Sequence, residues 1–260
     1  MKGYRYYLFD IDRTLWDFDL NAEHALKYLF ERHNLNALLG IPDMETFFGQ
    51  YQELNLRLWN SYEKGEITKE VLRNKRFQET FFRFAVGSGK IANFGTTPRK
   101  QHTEIMEFGE KFSTEYMERM SVEKALEEGA EAVLKELKSR GCRIAAVSNG
   151  FKEVQYKKLS NAGIIGYMDA IIISEEIGAH KPSTIIFQRA VEALAGVENY
   201  ADREKRGTIK AETLMVGDDF ANDIKGARFF GIDQFYYNPK HKPSDGDATY
   251  ESCSLYDLIR

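Results

Sequence analysis

The chain has few of the residues that would place it in an oxidising compartment or in a membrane. Its 260 residues include 2 cysteines, Cys142 and Cys253, which is too few for a disulfide framework. No apolar run approaches the length of a membrane-spanning helix, and the N-terminal residues contain no secretory apolar segment. We therefore expect a cytoplasmic protein that does not bind a membrane.

The sequence also lacks a basic excess. Its 36 Lys and Arg stand against 40 Asp and Glu, and the formal net charge is -4. Proteins that bind nucleic acids or membrane surfaces need a basic surplus, so we expect neither partner. A small anionic substrate is compatible with this balance, because a metal ion and one lysine reverse the local field. With 43% hydrophobic residues, the chain is long enough to bury a substantial core.

The order of apolar and polar segments predicts an α/β protein with a helical insert. Buried strands are predicted at residues 4–9, 143–147, 170–173, 213–216 and 234–237, with helices between the later strands. This alternation is typical of a doubly wound parallel sheet, a Rossmann-like core. Between the first two strands the periodicity is helical throughout, which predicts an all-helical cap domain inserted in the core.

The predicted core comprises residues 1–16 and 122–260, and the predicted cap comprises residues 17–121. Within these domains we expect a turn at 93–98, a helix over 122–140 and a polar, charged connector over 196–212. The strand at 234–237 is predicted to be the last of the sheet.

Four polar clusters lie at or just after predicted strand ends. They are Asp10/Asp12/Thr14, Ser148/Asn149, Lys181, and Asp218/Asp219/Asn222/Asp223. In open parallel sheets, ligands bind outside the carboxyl ends of the strands, so we expect these clusters to meet in one site.

The residue types in these clusters are those that phosphoryl transfer requires. We predict that Asp10 attacks phosphorus and forms an aspartyl phosphate, and that Asp12 protonates the leaving alkoxide and then activates water. Lys181 is the third predicted catalytic residue, because its compact charge neutralises both the phosphate and Asp10. The residues predicted to bind the phosphoryl oxygens are Thr14, Ser148, Asn149 and Lys181.

The turn around Asp218 carries more carboxylate than a structural turn requires. These acids and Asp10 would repel one another in a cleft of low dielectric unless a cation were present, and Mg²⁺ suits such oxygen ligands. We predict Asp10, the Asp12 backbone carbonyl and Asp218 as direct ligands, with Asp223 holding a metal-bound water. Asp219 is left open between these two roles.

Together, these clusters resemble the four motifs of the haloacid dehalogenase (HAD) superfamily of aspartate-nucleophile phosphohydrolases. The matching stretches, in order, are Asp10-Ile11-Asp12-Arg13-Thr14, Ser148-Asn149, Lys181, and Gly217-Asp218-Asp219 through Asp223. The resemblance implies Mg²⁺-dependent phosphomonoester hydrolysis on a HAD core with a helical cap after the first motif. Arg13 departs from the pattern, since many members have glycine there.

A narrower resemblance is to the bacterial pyrimidine 5′-nucleotidase branch of the superfamily. It rests on residues 58–68, Asn149-Gly150-Phe151, and residues 173–178 followed by Lys181-Pro182. It implies that the substrate is a small phosphorylated metabolite, a nucleoside monophosphate.

Three cap aromatics, Tyr51, Trp59 and Tyr62, are candidates for stacking on the base. Their alternative role is burial in the cap core, because aromatics recur along these helices at helical spacing.

Other functions remain open at this point. A sugar-phosphate phosphatase or phosphomutase would use the same groups, whereas a dehalogenase would leave Asp12 and the acidic turn without a role. A phospho-aspartate receiver is disfavoured. In receivers the phosphorylated aspartate follows a later strand and there is no cap, whereas this chain has a large helical insert. An inactive HAD-like scaffold is disfavoured, since every catalytic position is filled. The sequence does not predict the oligomeric state.

Overall fold

The computed structural model describes residues 1–91, 99–244 and 246–260. Over these residues the chain divides into two compact units, Met1–Asp19 with Val122–Arg260, and Leu20–Ser121. The turn predicted at residues 93–98 lies outside the described part of the chain. In the part that is described, no helix combines the length and the apolar character needed to cross a membrane.

In its described residues, the regular elements of the second unit are all helices. The chain enters it along α1 (Phe18–Arg32) and continues through α2 (Leu35–Leu39), α3 (Met44–Glu63), α4 (Lys69–Gly87) and α5 (Arg99–Met120). Asp43 and Thr68 cap α3 and α4, each accepting a hydrogen bond from a backbone N–H in the first turn. Packed rings fill the core of this unit, and they include Phe47, Phe77, Phe81 and Phe112.

The first unit contains a sheet that has six strands in the described residues. They are β1 (Tyr6–Phe9), β2 (Arg143–Ser148), β3 (Ala170–Ile173), β4 (Thr213–Gly217), β5 (Asp233–Tyr237) and β6 (Tyr250–Ser252). Their spatial order is β3-β2-β1-β4-β5-β6, and every adjacent pair is parallel. The predicted doubly wound α/β fold is therefore confirmed.

The helices of this unit cover both faces of the sheet. They are α6 (Ala130–Ser139), α7 (Lys152–Asn161), α8 (Ser174–Ile177), α9 (Thr184–Ala195), α10 (Val197–Ala201), α11 (Arg203–Ala211) and α12 (Gly226–Phe230). Side chains of α9 and α12 pack on Leu8, Val147 and Met215 from one side. The alternate residues Phe9 and Ala146 are buried as well, which explains why these strands read as continuous apolar runs.

Three local predictions were wrong. The helix predicted over 122–140 begins only at α6, because Gly129 adopts a left-handed φ of 82° and Leu126 forms a bridge with Trp16. The segment 196–212, predicted to be a connector, contains the short helices α10 and α11. Few of their residues are buried, so their sequence shows little apolar periodicity. The strand predicted to be the last is followed by β6, which is too short to produce a detectable alternation.

The register of the central strands determines where the polar clusters lie. Phe9, the last residue of β1, is opposite Ala146 of β2 and Val216 of β4. The segments that follow these strands therefore leave the sheet at one edge, as the parallel topology predicted.

Candidate active site

Three buried carboxylates converge at this edge of the sheet. Asp10 follows β1 and donates its backbone N–H to Val216 O at 2.9 Å, which holds it beside the end of β4. One carboxylate oxygen each of Asp10, Asp218 and Asp223 lies within 4.8 Å of the other two. Gly217 makes this approach possible, because a Cβ at that position would lie 2.2 Å from Asp223 Oδ2.

Lys181 lies among these acids. Its ammonium donates to Asp10 Oδ1 at 2.5 Å and to the carbonyl oxygen of Val147 at 3.0 Å, and it is 2.6 Å from Asp223 Oδ1. Burial alone would lower the pKa of Lys181, but the charges of Asp10 and Asp223 outweigh it and raise that pKa. Lys181 is therefore a permanent cation. Its two hydrogen bonds and its ion pair with Asp223 fix the ammonium among the acids, and its contact with phosphate stays a prediction.

One buried lysine does not neutralise three buried carboxylates. Burial raises the pKa of Asp10 and of Asp223, and it raises the pKa of Asp218 to about 6, with the charge of Asp10 adding to the last shift. Lys242 partly compensates Asp218 from 2.9 Å, but its side chain is half exposed. A cluster of carboxylate oxygens with a deficit of positive charge fits a hard divalent cation such as Mg²⁺.

The side chain of Asp12 is held away from this acidic cluster. Its Oδ1 is 2.5 Å from Lys158 Nζ, and its Oδ2 accepts from Gln155 Nε2 at 2.7 Å. Both partners belong to α7, one helical turn apart, and both are buried. Asp10 and Asp12 therefore occupy different electrostatic environments although one residue separates them.

The Ser148 hydroxyl accepts two hydrogen bonds from its own segment and from α7. Its Oγ accepts hydrogen bonds from Gly150 N at 3.0 Å and from Gln155 Nε2 at 2.8 Å. With both acceptor sites used, the hydroxyl proton is directed elsewhere and is available to an incoming oxygen.

Two other predicted phosphate ligands have different surroundings. The side-chain amide of Asn149 donates to Lys181 O at 3.1 Å and accepts from Lys181 N at 2.8 Å, so it positions the lysine segment. Thr14 is fully buried and its hydroxyl has no hydrogen-bond partner among the described residues. This burial does not favour a direct contact between Thr14 and phosphate.

The structure also explains Asp219 and Arg13. Asp219 is exposed, and its Oδ1 accepts from the backbone N–H groups of Ala221 and Asn222, so it caps the following helical turn. Arg13 adopts a left-handed φ of 65°, which is the conformation that glycine tolerates best. Its guanidinium is held by Asp19 at 2.9 Å and lies over the ring of Phe18.

The three aromatic candidates in the helical unit differ in burial. Tyr51 is 1% exposed, stacks on Phe77 and shares a 2.9 Å hydrogen bond between its hydroxyl and that of Tyr116. This position makes it part of the helical core and does not support base stacking. Trp59 and Tyr62 are partly exposed and contact each other edge to face at 5.7 Å.

Sequence reasoning missed Gln155, Lys158 and Lys242. Lys242 follows β5 in an irregular segment with no motif to mark it. Gln155 and Lys158 are three residues apart on a helix that starts just after the Ser148 motif, and a polar pair facing inward at that spacing was the available signal.

Comparison with known proteins identifies the family. Residues 4–231 match the model of haloacid dehalogenase-like hydrolases, which covers most of the chain. The chain belongs to the haloacid dehalogenase-like hydrolase family. The predicted HAD resemblance is thus confirmed.

Two relatives align over nearly the whole chain. Pyrimidine 5′-nucleotidase PynA of Streptococcus pneumoniae is 29% identical over 258 residues, which are 98% of this chain and 94% of that protein. Pyrimidine 5′-nucleotidase YjjG of Escherichia coli is 26% identical over 252 residues, which are 96% of this chain and 94% of that protein.

A solved structure shows the same fold. The HAD-hydrolase YfnB of Bacillus subtilis, in a crystal form bound to magnesium, superposes with a TM-score of 0.76 at 27% identity. The superposition covers 99% of this chain and 98% of YfnB. That crystal structure reveals interdomain movement in YfnB.

Proposed function

We propose that this HAD-like hydrolase is a Mg²⁺-dependent phosphatase that hydrolyses nucleoside monophosphates, with pyrimidine 5′-nucleotides as the preferred class. The observation that carries the chemistry is the separation of two neighbouring carboxylates. Asp10 lies in the acidic cluster against Lys181, whereas Asp12 is held by uncharged and cationic donors outside that cluster. One fits a nucleophile and the other fits a proton carrier.

The first half-reaction forms a bond between an Asp10 oxygen and phosphorus. The bond between phosphorus and the ester oxygen breaks, and Asp12 in its acid form gives its proton to that leaving oxygen. Lys181 holds Asp10 in place and its charge opposes the rise in the Asp10 pKa that burial causes, and the Ser148 hydroxyl donates to a phosphoryl oxygen.

The second half-reaction releases phosphate. Asp12 takes a proton from water as the water oxygen attacks phosphorus, and the bond from phosphorus to Asp10 breaks. This step returns Asp12 to its acid form and Asp10 to a carboxylate, so the cycle closes without another reactant.

Asp10 and Asp218 are the residues proposed to hold the cation directly, together with the Asp12 backbone carbonyl, while Asp223 supports a bound water. When bound, Mg²⁺ would neutralise charge on the phosphoryl oxygens and on these acids. The buried, under-neutralised cluster described above supports this role.

The helical unit is proposed to act as a cap that selects the substrate. Trp59 and Tyr62 keep part of their aromatic surface exposed, which suits stacking on a base, whereas Tyr51 does not. The names of PynA and YjjG, both pyrimidine 5′-nucleotidases, support nucleotides as the substrate class.

The deciding experiment is a screen of nucleoside monophosphates and sugar phosphates by kcat/KM, in Mg²⁺ and in EDTA. We expect the highest kcat/KM for a pyrimidine nucleotide and loss of activity in EDTA that Mg²⁺ restores. Trp59→Ala should raise KM for nucleotides more than for p-nitrophenyl phosphate, with Leu56→Ala, exposed on the same helix, as control.

Poor turnover of every nucleotide beside good turnover of a sugar phosphate would contradict the nucleotidase proposal and leave the phosphatase chemistry intact. Undiminished activity in metal-free buffer would contradict the metal. Dehalogenation is not proposed, since neither the acidic cluster nor a second carboxylate at Asp12 has a role in it.

A further inference from the structure

Asp12 is held by a pair of buried side chains to which neither the family motifs nor the reaction scheme assigns a role. Lys158 Nζ lies 2.5 Å from Oδ1 of Asp12, and Gln155 Nε2 lies 2.7 Å from Oδ2. Each carboxylate oxygen thus has one donor. With both ends engaged, the plane and the direction of the carboxylate are determined.

Burying Lys158 is costly, so its position calls for an explanation. The residue is 3% exposed, and its ammonium lies 4.1 Å from the ring centroid of Trp16 and 5.3 Å from that of Phe18. In the described part of the chain, Asp12 is the carboxylate with which Lys158 forms an ion pair. The Asp12 side chain is 24% exposed, so the buried ammonium has a partly solvated partner. Such a pair contributes little net stability compared with apolar packing of the same volume, which favours a role in the site over a role in folding.

Gln155 links Asp12 to the predicted phosphoryl donor. Its Nε2 donates to Asp12 and also to Ser148 Oγ at 2.8 Å, which uses both of its N–H groups. Its Oε1 is buried with no hydrogen-bond partner among the described residues. The amide is therefore oriented by its two acceptors.

Gly150 leaves the space through which Gln155 reaches these acceptors. A Cβ at position 150 would lie 2.0 Å from Gln155 Nε2. The glycine after the Ser148 motif is thus explained by a side chain from α7 as well as by access to phosphate.

We propose that Lys158 and Gln155 are positioning residues that fix the Asp12 carboxylate for both proton transfers of the reaction. The proposal rests on the proposed phosphatase function, but it does not depend on the identity of the alcohol. Loss of either donor leaves Asp12 able to rotate, and misplacement by about 1 Å is enough to lower a rate by roughly 100-fold.

The experiment compares two leaving groups, because they differ in their need for the Asp12 proton. p-Nitrophenolate leaves without protonation, whereas the alkoxide of an alkyl phosphate requires it. The alkyl substrate is whichever nucleotide or sugar phosphate the wild-type enzyme hydrolyses best. Variants are Lys158→Met, which keeps apolar contact with Trp16, Lys158→Arg, and the control Lys157→Met at the exposed neighbour on α7.

For Lys158→Met with p-nitrophenyl phosphate, we expect a burst of p-nitrophenol followed by a slow steady state. Phosphorylation of Asp10 remains fast with this substrate, and hydrolysis of the phosphoenzyme becomes limiting. With the alkyl phosphate both steps slow, so no burst forms and kcat falls by about 100-fold or more. Lys158→Arg should recover most of the loss, and Lys157→Met should match wild type in both assays.

Several outcomes would overturn the proposal. They are wild-type rates in Lys158→Met, equal losses for the two substrates with no burst, or a rise in KM with unchanged kcat. Gln155→Leu gives a second test if Lys158→Met does not fold, and it should show the same burst. If the wild-type enzyme prefers sugar phosphates, only the nucleotidase assignment is refuted. The comparison of leaving groups can still be made, with a sugar phosphate as the alkyl substrate.

Discussion

Replacing Asp218 with Asn should stabilise the metal-free protein at neutral pH, although it removes a residue of the acidic cluster. Burial and the nearby charge of Asp10 raise the pKa of Asp218 to about 6, from 3.8 in an unstructured chain. A difference of about two pKa units corresponds to roughly 3 kcal/mol between the charged and neutral forms. Because Asn keeps the shape and loses the charge, it removes this penalty.

The contact with Lys242 lowers the pKa of Asp218, so the value of about 6 already includes it and nothing further is subtracted. We therefore expect Asp218→Asn to raise the free energy of unfolding by up to about 3 kcal/mol at pH 8 in EDTA.

The pH dependence has a definite sign. Between about pH 4 and pH 6 the folded protein keeps a proton on Asp218 that the unfolded chain has lost, so wild-type stability falls as pH rises through this window. Below pH 4 both states are protonated, and the advantage of the Asn variant should vanish. With Mg²⁺ at pH 8, the wild type should become more stable than the Asn variant, because Mg²⁺ stabilises a wild-type protein that binds it and does little for the variant.

Urea unfolding followed by tryptophan fluorescence measures this change in stability, provided that the signal comes from the unit that contains the sheet. The chain has 2 tryptophans, and Trp59→Phe leaves Trp16, which is fully buried in the unit that contains the sheet. Asp219→Asn in the same background is the control, because the exposed Asp219 caps a helix and Asn caps equally well. A variant less stable than wild type at pH 8 in EDTA, or a gain that persists unchanged at low pH, would refute the reasoning.

Three further predictions concern single side chains. Asp10→Asn should abolish turnover and leave no phosphoenzyme to trap with a radiolabelled substrate; wild-type activity would refute its role as nucleophile. Gly150→Ala should displace the side chain of Gln155 and lower kcat by at least about 10-fold with a small change in Tm, as measured by steady-state kinetics and thermal unfolding. Tyr51→Phe should cost about 1 kcal/mol by breaking the hydrogen bond to Tyr116, with KM for nucleotides unchanged; an altered KM would restore Tyr51 as a substrate contact.

The sequence alone was sufficient for strands β1 to β5 and for the convergence of the motifs that follow them. Strands such as β1 are continuous apolar runs buried on both faces, and parallel topology then places the residues that follow them at one edge. Asp10, Ser148, Lys181 and Asp218 were therefore identifiable from pattern and chemistry. Short elements with little buried surface, such as β6 and α10, leave too weak a pattern for such reasoning.

Only the tertiary structure decided what each polar side chain contacts. Asp12 meets Gln155 and Lys158 across sequence separations of 143 and 146 residues, and no local periodicity encodes that meeting. Asn149 binds the Lys181 backbone. Tyr51 lies in a core, although its residue type alone was also compatible with a substrate-binding surface. The physical reason is that strand and helix patterns depend on neighbours along the chain, whereas charge neutralisation and hydrogen bonding depend on neighbours in space.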